Sequence, residues 1–133
     1  MTVTRDDLRH FQDNEVALLQ IDEELKEAYN TYRSPSLSNN GVKSSNPYAS
    51  SPQERALRTI GRLEKKRDYF LKKQEEVKDY VFSIDDPLIF MICNYHFLKG
   101  YTWEATSVQL KSCRSKSVLI DKVNRYFTEH GLE

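Results

Sequence analysis

The sequence predicts an all-α protein in which a long antiparallel helical hairpin precedes a small module of three short helices. Apolar residues recur every three or four positions in two long stretches, which flank a segment rich in Ser, Asn and Pro. An Asp-Asp-Pro sequence then separates these stretches from three shorter helical patterns. We therefore place the hairpin domain at residues 1–84 and the three-helix module at residues 85–133.

The first long helix is predicted over residues 5–33. Thr4 is suited to the N-cap position, and Asp6 and Asp7 are suited to the first turn, where carboxylates face the positive end of the helix dipole. The polar run from Asp13 to Glu15 is the place where this helix is expected to break, if it breaks at all.

Residues 34–51 predict a flexible loop, because Ser, Asn, Pro and Gly favour turns over helix. Pro52 then fits the first turn of a second long helix that extends to Ile84, with apolar residues at steps of three and four. Two long amphipathic helices joined by such a loop are expected to pack antiparallel, since each then covers the apolar face of the other.

Asp85, Asp86 and Pro87 are expected to end the second long helix and to begin the module, because the residue before a Pro disfavours the helical conformation and an Asp is a good helix cap. Three helices are predicted, at about residues 87–98, 103–110 and 115–129. Their lengths and short connections are typical of a helix-turn-helix, in which the second helix supports a third that enters the DNA major groove.

Helix caps and the core of this module can also be predicted. Thr102 is the expected cap of the supporting helix, and Ser112 or Ser115 that of the last helix. The supporting helix is expected to bury Trp103, Val108 and Leu110. On a helical wheel, one side of the last helix gathers the apolar residues Leu119, Ile120, Val123, Tyr126 and Phe127.

The opposite side of the last helix is the candidate DNA-reading surface, because its polar side chains suit base edges and its cations suit phosphates. The predicted DNA-binding residues are Lys111, Arg114, Lys116, Ser117, Asp121, Lys122, Asn124 and Arg125. Asp121 opposes this prediction, since it would repel phosphate unless it accepts from a cytosine amino group. An ordinary three-helix bundle with a solvated charged face remains the alternative.

Several motifs of this chain resemble those of the RinA- and ArpU-like phage transcriptional regulators. The stretches are "SSNPYASSPQERALRTI", "IDDPLIFMICNYHFLKGYTWEATSVQL" and "SVLIDKVNRYF", and the matching residues are Asp86, Pro87, Tyr95, Gly100, Trp103, Glu104, Arg125, Tyr126 and Phe127. The C-terminal part of that family is similar to region 4 of bacterial sigma factors. The resemblance implies a sigma-like helix-turn-helix and a role in phage or prophage transcription.

Composition and charge narrow the classes of function. The net charge is zero, but residues 1–33 carry eight acidic and four basic side chains, while residues 111–125 carry five basic ones and one acidic one. Two cysteines, no leader sequence and no long apolar run indicate a cytoplasmic protein without a membrane span. No catalytic motif or cofactor site is recognisable, and Cys93, His96 and Cys113 fall short of a zinc-ligand set.

Two functional hypotheses follow. The first is a phage- or prophage-encoded transcriptional regulator that binds double-stranded DNA and uses its hairpin to contact RNA polymerase or to form a homodimer. The second is a non-enzymatic interaction protein that uses the hairpin to inhibit or scaffold a host or phage protein, which the neutral net charge and the acidic first helix favour.

Overall fold

The computed structural model describes residues 3–33, 51–111 and 114–133, and these residues form helices and connections without any strand. The helices are α1 (Arg5–Arg9), α2 (Phe11–Arg33), α3 (Pro52–Phe82), α4 (Pro87–Cys93), α5 (Trp103–Leu110) and α6 (Lys116–Glu129). A π-helical turn, Asn94–Leu98, continues α4. The all-α prediction is confirmed for the described residues. The loop predicted at residues 34–51 lies outside them, apart from Ser51.

The chain divides into two compact units that do not coincide with the predicted domains 1–84 and 85–133. Residues 1–16 and 72–133 form a larger unit, and residues 17–71 form a smaller unit. The start of α2 and the end of α3 belong to the larger unit because their apolar side chains, among them Phe11, Val77 and Val81, pack into the same core as the short helices.

In the smaller unit, α2 and α3 pack through a second apolar cluster that contains Ile21, Leu25, Ala28 and Ile60. Two polar contacts accompany this cluster. The Tyr29 hydroxyl donates to the Glu64 carboxylate at 3.5 Å, and Arg67 Nη1 lies 3.9 Å from Asp22 Oδ1. Asp22 contacts Arg67, whereas Tyr29, further along α2, contacts Glu64, which comes earlier in α3. The two segments therefore run in opposite directions within this unit.

The core of the larger unit contains one side of α6. Leu119, Val123 and Phe127 are each 2% exposed or less, as predicted, and Ile120 and Tyr126 are half-buried. They pack against apolar side chains from the other helices of this unit, which include Leu8, Phe11, Val77, Val81 and Ile92. The burial of this side fixes the opposite side of α6 toward solvent.

Three of the predicted helix caps are confirmed. The Thr4 hydroxyl accepts from the N–H of Asp7 at 3.2 Å, and the Asp7 carboxylate accepts from the N–H of Thr4 at 3.0 Å. Asp86 Oδ1 accepts from two N–H groups of the first turn of α4, at 3.0 and 3.2 Å. The Thr102 hydroxyl accepts from the N–H of Ala105 at 3.1 Å.

The cap of α6 differs from the other three. Ser115 occupies the N-cap position, but its side chain makes no capping hydrogen bond, and Ser112 lies outside the described residues. Of the two predicted capping serines, Ser115 therefore does not cap α6 with its side chain.

The break in the first long helix falls at His10 and not at Asp13 to Glu15. His10 ends α1 with φ −88° and ψ 1°, and its Nδ1 lies 2.8 Å from the carbonyl oxygen of Asp6. The buried Gln74 donates its amide N–H to the Phe11 carbonyl at 3.0 Å and to the Glu15 carboxylate at 2.8 Å. Because Glu15 has this partner while it remains helical, the polar run does not interrupt α2.

The prediction for the buried face of α5 is wrong at Val108, which is 78% exposed, whereas Thr106 is fully buried. Trp103 and Leu110 pack against the core as predicted. Thr106 tolerates burial because its hydroxyl donates to the Thr102 carbonyl at 2.8 Å, so no polar atom of this side chain loses its partner. Val108 follows two residues later, about 200° around the helix, and faces away.

Gly100 connects the π-helical turn to α5 in a conformation that suits glycine, with φ +78°. A Cβ at this position would lie 2.8 Å from Cδ of Gln12. The Gln12 amide donates to the carbonyls of Phe97 and Leu98 at 3.1 and 2.6 Å, which ties the start of α2 to the end of this turn.

None of the described helices combines the length and the apolar character that crossing a membrane requires.

Candidate nucleic-acid interface

The connection between α5 and α6 begins at Lys111, and residues 112 and 113 of it lie outside the described part of the chain. Lys111 ends α5 in the left-handed conformation, with φ 53° and ψ 30°, which is a common way for a helix to end. The Ser107 hydroxyl donates to the Arg114 carbonyl. The supporting helix is therefore attached to the start of α6 by a hydrogen bond as well as by the chain.

The side of α6 opposite the core presents most of the predicted DNA-binding residues to solvent. Ser117, Asp121, Asn124 and Arg125 are exposed, and so are Lys111, Arg114 and Lys116 before and at the start of the helix. Lys122 is half-buried. The division of α6 into an apolar and a polar side agrees with the sequence pattern.

Two of the predicted cations form ion pairs on the surface of the module. Lys116 Nζ lies 2.7 Å from Glu104 Oε1, and this hydrogen bond lowers the pKa of Glu104. Arg125 Nη2 lies 3.1 Å from Asp121 Oδ2, with 68% and 71% of the two side chains exposed. The predicted positive surface is thus interrupted by two carboxylates.

The remaining predicted residues lie on different flanks of α6. Lys122 lines a shallow cleft of about 160 Å³ with Asp86, Leu88, Ile89, Arg125, Tyr126 and Glu129, where its ammonium group is accompanied by two carboxylates. Asn124 lines a different cleft, of about 320 Å³, together with Arg5 and Arg9 of α1.

Arg5 and Arg9 also line a cleft beside α6, although the sequence pattern does not predict them as site residues. Arg5 Nε donates to the Leu132 carbonyl at 3.1 Å and Nη2 to the Thr128 hydroxyl at 3.0 Å, while its Cζ lies 5.6 Å from the centre of the Phe127 ring. No local pattern signals this proximity, because α1 and α6 lie at opposite ends of the sequence.

His96 and Cys93 do not form a metal site with any residue that the structure describes. Burial raises the pKa of the Cys93 thiol to about 12, and Cys113 lies outside the described residues. His96 Nδ1 lies 2.7 Å from the Tyr101 carbonyl, and its ring stacks on Trp103 at 3.7 Å. Among the described residues, no three His, Cys, Asp or Glu side chains are grouped so that they could hold a metal ion.

Comparisons with protein families, with curated proteins and with solved structures found no match to this chain. The resemblance to the RinA- and ArpU-like regulators accordingly rests on the sequence motifs. The described residues offer an exposed polar face of α6 with cations on both of its flanks.

Proposed function

We propose that this protein is a DNA-binding transcriptional regulator of the phage type that reads duplex DNA with α6. In this proposal α4, α5 and α6 act as a sigma-like helix-turn-helix module, and α2 and α3 form a helical hairpin. The observation that carries the proposal is the division of α6, in which Leu119, Val123 and Phe127 are buried while Ser117, Asn124 and Arg125 are exposed.

The exposed side of α6 has the chemistry that base recognition requires. The major groove, about 12 Å wide, admits an α-helix, and each base pair presents donors and acceptors there. Asn and Arg side chains can form paired hydrogen bonds with adenine and guanine, respectively. Val118, which is 40% exposed, adds an apolar group that could contact a thymine methyl.

The ion pairs on this surface do not prevent phosphate binding. The pairs Lys116 with Glu104 and Arg125 with Asp121 are exposed, and exposed ion pairs contribute little to stability because water screens them. A phosphate oxygen can therefore replace either carboxylate as the partner of the cation. Lys111 and Arg114 add two exposed cations beside α6.

Removal of the Asp121 carboxylate tests this proposal with a gain of affinity. We expect Asp121→Asn to bind a mixed-sequence duplex about tenfold more tightly at 0.1 M salt, because it removes a charge that repels phosphate and frees Arg125 for one further contact. Fluorescence anisotropy with a labelled duplex measures the affinity. The control is Asp68→Asn, which makes the same change at an exposed position of α3.

Equal affinities of Asp121→Asn and Asp68→Asn would contradict the proposal.

A protein that binds DNA through α6 would regulate transcription by placing RNA polymerase at a promoter. The hairpin would then be the element available for polymerase contact or for a homodimer.

A second candidate function, a protein-interaction module, is favoured by exposed apolar side chains in the smaller unit. Leu19 is 68% exposed, Leu57 54%, Tyr69 54% and Leu71 43%. Exposed apolar side chains that lie together as one surface patch commonly mark contact sites. This candidate concerns the hairpin and requires no DNA contact.

Leu57→Ser separates this candidate from DNA binding. If the smaller unit holds a protein partner, we expect a stoichiometric partner in nuclease-treated lysate that Leu57→Ser loses, while duplex affinity is unchanged. Val108→Ser is the control, because it makes the same kind of change at an exposed residue of the larger unit. A partner that both variants retain, or that nuclease removes, would contradict this function.

A further inference from the structure

A cleft beside α6 has a composition that suits an anion. We name it the α1–α6 cleft; it has a volume of about 320 Å³ and lies within the larger unit. Nine of the described residues line it, namely Arg5, Arg9, His96, Phe97, Trp103, Ile120, Val123, Asn124 and Phe127. Two of these carry a positive charge and none is acidic.

Arg5 presents a guanidinium group that is already held in place. Its hydrogen bonds to the Leu132 carbonyl and to the Thr128 hydroxyl, together with its position over the Phe127 ring, use two of its N–H groups. A guanidinium has five N–H donors in a planar fork, so three remain for a ligand. Because the group is fixed, a ligand would lose little entropy in ordering it.

Arg9 and Asn124 add donors on the two helices that line the cleft. Arg9 is paired with Asp6 at 3.1 Å, but both side chains are exposed, so a phosphate can compete for the guanidinium at little cost. Asn124 is exposed on α6, and its amide group can donate two hydrogen bonds. Phosphate oxygens are the acceptors that such planar Arg donors match best.

The walls of the cleft strengthen these interactions. Phe97 and Trp103 contribute aromatic surface, and their rings pack edge to face at 6.3 Å. His96 stacks on Trp103, and burial lowers the pKa of His96, which disfavours its protonated form. An apolar wall raises the strength of a charge-assisted hydrogen bond because it keeps the local dielectric below that of water.

Two other clefts, one in each unit, have carboxylates beside their cations. The cleft at Lys122 and Arg125 is also lined by Asp86 and Glu129. A cleft of about 350 Å³ in the smaller unit is lined by Glu24, Glu27 and Arg55. The α1–α6 cleft differs from both in that its charged lining is purely cationic.

We propose that the α1–α6 cleft binds a phosphate group through Arg5, Arg9 and Asn124. The identity of this phosphate rests on the proposed function. When α6 lies in the major groove, the phosphate belongs to the DNA backbone at the edge of that groove. Asn124 belongs both to the exposed side of α6 and to the cleft, so a duplex placed along α6 brings its backbone to the cleft. The same chemistry would hold the phosphate of a small metabolite, and the test separates these two sources.

The first arm of the test uses DNA and the variant Arg9→Gln, since Arg9 is exposed and its loss should leave the fold intact. We expect Arg9→Gln to weaken duplex binding about tenfold at 0.1 M salt and to reduce the magnitude of the log-log salt slope by about one unit. Arg62→Gln, the same change at an exposed position of α3 in the smaller unit, should change neither. Arg5→Lys keeps the charge but loses the planar fork and should give an intermediate loss.

The second arm uses inorganic phosphate and pyrophosphate, with the fluorescence of Trp103 as the readout, because this residue is the single Trp of the chain and lines the cleft. A backbone site should bind these free anions weakly and should lose the DNA-induced fluorescence change in Arg9→Gln. Tight, Arg9-dependent binding of a free anion with unchanged DNA affinity would overturn the backbone assignment in favour of a phosphorylated small molecule.

The outcomes distinguish this inference from the proposed function. If Arg9→Gln binds DNA like Arg62→Gln while Arg125→Ala binds less tightly than the wild type, the cleft does not contact the backbone and the proposed function stands. If the wild type binds no duplex, the proposed function and the assignment of the cleft to a backbone phosphate both fail.

Discussion

Phe127→Ala is expected to destabilise the protein by about 3–5 kcal/mol, the usual cost of removing a buried aromatic ring from a core. Phe127 is 2% exposed; its ring lies 6.2 Å from that of Phe97 and packs beneath the Arg5 guanidinium. Since domains of this size are typically stable by about 5–15 kcal/mol, the variant should lose much of its stability. Urea unfolding followed by circular dichroism measures the change.

Val108→Ala is the matched control for this prediction. Val108 belongs to the same module, but it is 78% exposed, so its truncation should alter the free energy of unfolding by less than about 0.5 kcal/mol. The sequence pattern assigned Val108 to the core, and the control therefore also tests that correction. A Phe127→Ala variant as stable as Val108→Ala would contradict the described packing of α6.

The double variant Lys122→Ala/Arg125→Ala is expected to bind duplex DNA about 50- to 100-fold less tightly than the wild type at 0.1 M salt, because each lost phosphate contact removes close to one log unit of affinity. Arg125 is exposed at the middle of the polar side of α6, and Lys122 lies on the flank next to it. The loss should be similar for different sequences if both residues contact phosphates. Anisotropy titrations on two unrelated duplexes measure it.

The control is Arg62→Ala/Lys65→Ala, which removes the same two charges from exposed positions of α3 in the smaller unit. It should bind DNA almost as the wild type does. Thermal melting should show that both double variants remain folded. If the two variants bind alike, α6 is not the DNA-contacting helix.

Local features of the sequence were sufficient to predict the helices and most of their caps. Thr4, Asp86 and Thr102 bond to backbone groups within their own first turns, so their role depends on neighbouring residues alone. The buried side of α6 was predictable for a similar reason, since a 14-residue helix shows several turns of apolar periodicity.

Features that depend on polar contacts between distant segments were not predictable. Thr106 replaces Val108 in the core because its hydroxyl is satisfied by a backbone carbonyl, which a hydropathy pattern does not register. Gln74 is buried because it bonds to α2, far away in the sequence. Arg5 reaches the end of α6 through contacts with Leu132 and Thr128, and no spacing rule connects these residues.

The sequence predicted which charged residues belong to the candidate site, but it did not predict how they are arranged. The five cations of residues 111–125 were identified, but not the ion pairs that Lys116 and Arg125 form with Glu104 and Asp121. Side chains on different helices meet only in the folded protein, as Glu104 and Lys116 show. The local charge of the surface is therefore lower than the sequence alone indicates.

The salt dependence of duplex binding by the wild type tests the central claim most directly. With four to seven cations at α6 and the α1–α6 cleft in contact with phosphates, log K against log salt concentration should be linear with a slope of about −4 to −6. The measurement requires one labelled duplex and a series from low to moderate salt. Undetectable binding, or affinity that does not change with salt, would contradict DNA binding by this protein.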